Sequence, residues 1–65
     1  MNKKANEQYK SNEKTILDVF TKLLEEKDIQ KITVKEICED AHINRSTFYN
    51  HFEDVYGVLE KMWLI

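Results

Sequence analysis

The sequence predicts an all-α fold of three helices followed by the start of a fourth. Apolar residues recur at helical spacing along most of the chain. Proline is absent and glycine occurs once, at Gly57, so turn-rich sandwiches and barrels are excluded. Two short segments in the middle each begin with a capping residue and lie only a few residues apart.

Sixty-five residues make one small domain with little interior to spend. Hydrophobic residues at 42% and charged residues at 34% mark a globular chain rather than a disordered one. A single cysteine, Cys38, forms no internal disulfide. No apolar run approaches the ~20 residues that cross a bilayer, and the opening MNKKANEQYK lacks a signal peptide's apolar stretch. A cytoplasmic location without a membrane partner is expected.

Residues 1–10 carry Lys3, Lys4 and Lys10 against Glu7 alone and read as a flexible basic arm, with reach into a DNA minor groove as a second reading. The domain proper is expected over residues 11–65. Its first helix, about 12–27, places Ile16, Val19, Phe20, Leu23 and Leu24 on one face. Ser11 or Asn12 suits its cap and Glu13 its first turn, and Lys27–Asp28 suits its end, because Asp tolerates left-handed backbone.

The second helix, 34–41, opens on a capping box. The Thr33 hydroxyl is set to accept the Glu36 amide, and the Glu36 carboxylate to accept the Thr33 amide. Ile32 and Ile37 flank that cap, and Val34, Ile37, Cys38 and Ala41 form an apolar stripe. The third helix, 45–51, repeats the grammar with Asn44 as cap, Ile43 and Phe48 as the flanking pair, and Phe48 and Phe52 as its buried edge. Asp54 caps a fourth helix, 55–65, whose face is Val55, Val58, Leu59, Met62 and Trp63. It runs to Trp63-Leu64-Ile65 without a terminating signal, which reads as one module of something longer.

Two short helices joined by His42 and Ile43 have helix-turn-helix spacing, and histidine is among the non-glycine types that accept a left-handed turn position. With Phe48 and Phe52 inward, Ser46 and Asn50 point outward, flanked by Thr47 and Tyr49, with Arg45 in the first turn and His51 to one side. The chain is net −2, yet no acid occurs from Ala41 to Phe52, while Glu39, Asp40, Glu53 and Asp54 bracket that stretch. A merely solvated face in this composition would resemble Lys22, Glu25 and Glu26. Hydroxyls, amides and one guanidinium suit phosphate oxygens and base edges instead.

The run from Thr33 to Phe52, above all Ser46-Thr-Phe-Tyr-Asn-His-Phe52, resembles the DNA-binding domain of TetR-type bacterial transcriptional regulators, over about Asn12 to Met62. The resemblance implies a three-helix helix-turn-helix bundle plus the start of a fourth helix, and a larger domain beyond it that dimerises and binds an effector. It implies that Arg45, Ser46, Thr47 and Asn50 face the groove, that Lys35 reaches a base or phosphate, and that Thr33, Tyr49 and His51 contact phosphate. With the cap Asn44, these make up the expected DNA-contacting set. Three positions depart from the pattern. His42 and Asp28 replace family glycines, and Val55 replaces the lysine that opens the fourth helix.

Cys38 and His42 are four apart, but structural zinc wants four ligands and no second pair exists, so no metal is expected. Tyr56 reads as packing and Trp63 as core or interface. No nucleophile stands beside a base in a glycine-framed turn and no glycine-rich phosphate loop is present, so neither enzyme activity nor a cofactor nor a small-molecule site is expected. The expected function is a sequence-specific DNA-binding regulator, acting as a repressor, that sets helix 45–51 in the major groove of a palindromic operator as part of a homodimer. The alternative is a helical protein-interaction module whose DNA binding is vestigial.

Overall fold

The computed structural model describes the backbone of residues 3–63 and the side chains of residues 7–62. Among the described residues four helices follow in order, α1 (Lys3–Glu26), α2 (Val34–Ala41), α3 (Arg45–Tyr49) and α4 (Val55–Trp63), with a 3₁₀ turn at Ile29–Lys31. Leu64, Ile65 and the Trp63 side chain, assigned from sequence to the end of α4, lie outside the described residues.

Each helix lends one stripe to a common core. Ile16, Phe20 and Leu23 come from α1, Ile37 and Cys38 from α2, Phe48 from α3, and Val55 and Val58 from α4. Ile32 and Phe52 enter it from the connections. α1 is the backbone of the bundle, packing against both α2 and α4, and α2 in turn carries α3.

α1 starts well before the expected residue 12. Residues 3–10, read from sequence as a flexible arm, are helical here. Lys, Ala, Glu and Gln in this stretch are good helix formers, and nothing at Ser11 or Asn12 stops the helix from running through. Thr15 even donates its hydroxyl to the Ser11 carbonyl, one turn back inside the helix. At the other end, Asp28 is extended (φ −69°, ψ 151°) rather than left-handed. Its carbonyl accepts the Lys31 amide at 2.9 Å, opening the 3₁₀ turn that the apolar periodicity did not reveal. That turn delivers Ile32 into the core.

Half of the capping box forms. Thr33 Oγ1 accepts the Glu36 amide at 3.1 Å. The Glu36 carboxylate pairs with Lys27 at the end of α1 instead of returning to the Thr33 amide. α2 then stops at His42, the one non-glycine residue with positive φ among those described (φ 59°, ψ 43°). The Ile43 amide reaches back to the Cys38 carbonyl at 3.0 Å and closes the end of the helix.

α3 is shorter than the expected 45–51, with five residues ending at Tyr49. The Asn50 amide is shared between the Ser46 and Thr47 carbonyls, and the His51 and Phe52 amides both reach Phe48 O. This tightened exit turns the chain so that Phe52 re-enters the core. Asp54 caps α4 as expected, its Oδ1 accepting the Gly57 amide at 2.9 Å. Val55 is buried, so the side chain that stands where the resemblance placed a lysine is part of the core. Among the described residues no helix is long and apolar enough to cross a membrane.

The left-handed turn makes His42 a position with a sign that can be measured. His42→Gly is expected to stay within about 0.5 kcal/mol of the parent, since freedom gained at positive φ offsets chain entropy lost on folding. His42→Val, β-branched and strained there, is expected to lose about 1–2 kcal/mol, read from urea denaturation midpoints.

Candidate nucleic-acid interface

The exposed face of α3 exists because Phe48 faces the other way. Its ring is fully buried beside Phe52, at a centroid distance of 5.9 Å. Opposite it, Asn44, Arg45, Ser46, Tyr49 and Asn50 are exposed, and Thr47 is half-buried. The structure therefore brings six of the expected residues onto one surface. Thr33 and Lys35 are exposed at the start of α2, the helix that carries α3.

Asn44 organises the start of the helix. Its Oδ1 accepts the Thr47 amide at 2.9 Å, the Ser46 hydroxyl at 2.7 Å and the Thr47 hydroxyl at 2.9 Å. The cap thus satisfies one orphan backbone donor and draws two hydroxyl donors toward the same oxygen. Tyr49 meets Phe48 edge-on at 5.4 Å, which holds the phenol ring while leaving it 53% exposed. Tyr56, expected as packing, is likewise outside, at 57%.

His51 is not on this surface. Its imidazole is only 1% exposed, so the expected phosphate contact is sterically closed. His51 lies at the edge of the wheel only for a helix that runs through to residue 51, and the chain instead tightens after Tyr49 and turns the side chain inward. The Tyr9 ring covers it, with centroids 4.0 Å apart. Glu13 Oε1 lies 3.5 Å from His51 Nδ1, without hydrogen-bond geometry, and Glu13 Oε2 lies 3.9 Å from Lys61 Nζ on α4. The Tyr9 hydroxyl donates to the Asn50 carbonyl at 3.3 Å. Tyr9, Glu13 and Lys61 thus support the exit of α3, and sequence reasoning assigned them no such part. An aromatic residue in a supposed arm, four positions before Glu13, was the available signal.

Electrostatically the surface is mild. Arg45 is the one cation on α3, and the exposed carboxylates of Glu39, Asp40, Glu53 and Asp54 lie on either side of it in the chain. Burial pushes the Cys38 thiol upward, an effect that the Arg45 charge partly opposes. Among the described residues no three His, Cys, Asp or Glu side chains cluster as metal ligands.

The sequence pattern of bacterial regulatory proteins of the tetR family matches residues 16–62. An uncharacterized HTH-type transcriptional regulator of Bacillus subtilis (strain 168), YxbF, is 38% identical over 50 residues. That match covers 77% of this chain and 13% of the relative's length. No solved structure matches.

If Tyr9 holds the α3 exit, Tyr9→Ala is expected to lose about 1–2 kcal/mol of stability, the aromatic contact together with its buried area. Tyr9→Phe keeps the ring and is expected to lose under ~1 kcal/mol. Denaturation midpoints give the energies. A shift of the His51 ring proton signals in Tyr9→Ala, absent in Tyr9→Phe, locates the effect.

Proposed function

We propose, since the chain belongs to the tetR family of bacterial regulatory proteins, that it binds double-stranded DNA by laying the outer face of α3 in the major groove. The single observation that carries this is the face itself. Phe48 is sunk in the core, while Arg45, Ser46, Tyr49 and Asn50 stand exposed with no carboxylate among them. A helix-turn-helix presents its second helix in this way, with residues near its N-terminus at the base edges.

Roles follow from side-chain chemistry. Arg45 has a planar fork of donors that suits the acceptor edge of guanine. Asn50 presents an amide, able to both give and accept at an adenine edge. Tyr49 is a rigid ring with a terminal hydroxyl, suited to a phosphate oxygen. Thr33 and Lys35 are exposed at the start of α2, and in this reading they meet the phosphate backbone beside the same groove. Asn44 acts through the cap, as the residue that orients its neighbours. The reading extends to a homodimer that sets two such helices on a palindromic operator, one helical turn of duplex apart, and to repression as the regulatory outcome. It involves no catalytic step.

Binding of the chain to a half-site duplex is expected to weaken steadily as salt rises, because phosphate contacts release counterions. A mobility-shift titration at two salt concentrations reads this, and salt-independent binding would count against a phosphate-anchored mode. Palindromic duplexes are expected to bind more tightly than half-sites wherever the protein pairs.

Arg45→Ala and Tyr49→Phe separate reading from anchoring. Arg45→Ala is expected to cost about 1–3 kcal/mol on the preferred duplex and much less on duplexes altered at one base pair. Tyr49→Phe is expected to lose about 0.5–1.5 kcal/mol on every duplex alike. Competition titrations against single-base variants give both, and a uniform loss for Arg45→Ala would make it an anchor. With the selected operator placed before a reporter, Arg45→Ala is expected to raise expression if the protein represses.

A further inference from the structure

The hydrogen bonds at the start of α3 decide which atoms of its two hydroxyl residues are left for a partner. Asn44 Oδ1 accepts the Thr47 amide at 2.9 Å. A backbone N–H only donates, so the atom facing it is the amide oxygen and not the amide nitrogen. The same oxygen lies 2.7 Å from Ser46 Oγ and 2.9 Å from Thr47 Oγ1. An amide oxygen carries no hydrogen, so in each of these contacts the hydroxyl is the donor.

That oxygen has two lone pairs for three donors. The Thr47 amide fills one, and it has no other acceptor because it lies in the first turn of the helix. Ser46, at the shortest of the three distances, fills the other. The Thr47 hydroxyl is then the surplus donor, free to turn its proton elsewhere. Ser46 is exposed on the face of α3, and the 2.7 Å contact turns its hydroxyl donor back toward Asn44. It meets a partner with lone pairs alone.

On the duplex-binding reading above, on which this rests, the two hydroxyls serve different targets. Phosphate oxygens only accept, and a hydroxyl without a free proton offers them nothing. Along the major groove the only donors on base edges are the exocyclic amines, N4 of cytosine and N6 of adenine. We infer that Ser46 reads such an amine at one position of the half-site, and that Thr47 is the hydroxyl left to meet the phosphate backbone. Arg45, next to Ser46 in the chain, offers only donors. Consecutive residues of the reading helix therefore ask for opposite hydrogen-bond polarity, an acceptor-bearing base for Arg45 and an amine for Ser46.

The test begins with duplexes selected by the chain from a random pool. Each adenine and cytosine of the preferred half-site is then replaced in turn by purine or 2-pyrimidinone, which lack the exocyclic amine. Fluorescence anisotropy gives the affinities. At one position, loss of the amine is expected to weaken binding about three- to ten-fold, the range of a single hydrogen bond. Ser46→Ala is expected to bind the two duplexes alike at that position. Asn44→Asp keeps an oxygen acceptor for both the Thr47 amide and the Ser46 hydroxyl and is expected to retain the amine effect, while an unchanged helical circular dichroism spectrum and denaturation midpoint in Ser46→Ala exclude a folding defect there. The assignment is overturned if amine loss is silent at every position, if its effect persists unchanged in Ser46→Ala, or if selection returns no preferred half-site. In those cases salt-dependent duplex binding still stands. No affinity for any duplex overturns both.

Discussion

The burial of Phe48 is the constraint on which the rest depends. α3 has five residues, far below the length at which a helix persists by its own hydrogen bonds. It exists because a fully buried phenyl ring contributes about 1.5–3 kcal/mol and because Asn44 satisfies the first turn. Both contributions come from residues on or beside the element itself. Once Phe48 is fixed inward, helical geometry leaves Ser46, Tyr49 and Asn50 no choice but to face out. The outer face is thus a consequence of the core rather than a separate feature laid over it.

Holding so short a rod at a definite angle takes contacts at both ends. At its start, the left-handed His42 and the Ile43 amide bond to Cys38 set the path from α2. At its exit, His51 acts as a polar wedge. Tyr9 covers it from the early turns of α1, and Glu13 links it to Lys61 on α4. The long α1 therefore braces both ends of the helix-turn-helix, since it also meets α2 through the Lys27–Glu36 pair. With its side chain 1% exposed and the Tyr9 ring 4.0 Å away between centroids, the imidazole has little room to turn.

The parts of this architecture that were legible in the sequence are those governed by local chemistry. Thr33, Asn44 and Asp54 each cap the helix that follows them, because a side-chain oxygen one turn before a run of amides acts on its neighbours alone. The limits of α2 and the inward Phe48 come from the same short-range rules. What escaped depends on distant residues. Ser11 and Asn12 are good caps, but a cap residue does not end a helix when helix formers precede it and Tyr9 has somewhere to dock. The Glu36 carboxylate left its capping box for Lys27, nine positions away. His51 was misplaced because a wheel extrapolates a regular helix, and the regularity stops at Asn50. Family resemblance did not help there, since it transfers a position's role and not the neighbour that covers it.

Charge is scarce where a duplex would lie. Between Thr33 and Phe52 the cations are Lys35 and Arg45, against Glu36, Glu39 and Asp40. The start of α4 adds none, because Val55 is committed to the core. On the proposed duplex-binding reading few counterions would be released, which would make the sequence-independent part of the affinity small. Neutral donors and acceptors must supply more of it, and these act only when aligned within hydrogen-bonding distance. On the proposed reading such a helix gains specificity from being held in place, which the Asn44 cap does for the Ser46 hydroxyl and the Tyr9–His51 contact does for the exit of the helix. On that reading the capped, braced setting of α3 and its weak charge belong together, since a surface with little attraction to offer has to rely on fit.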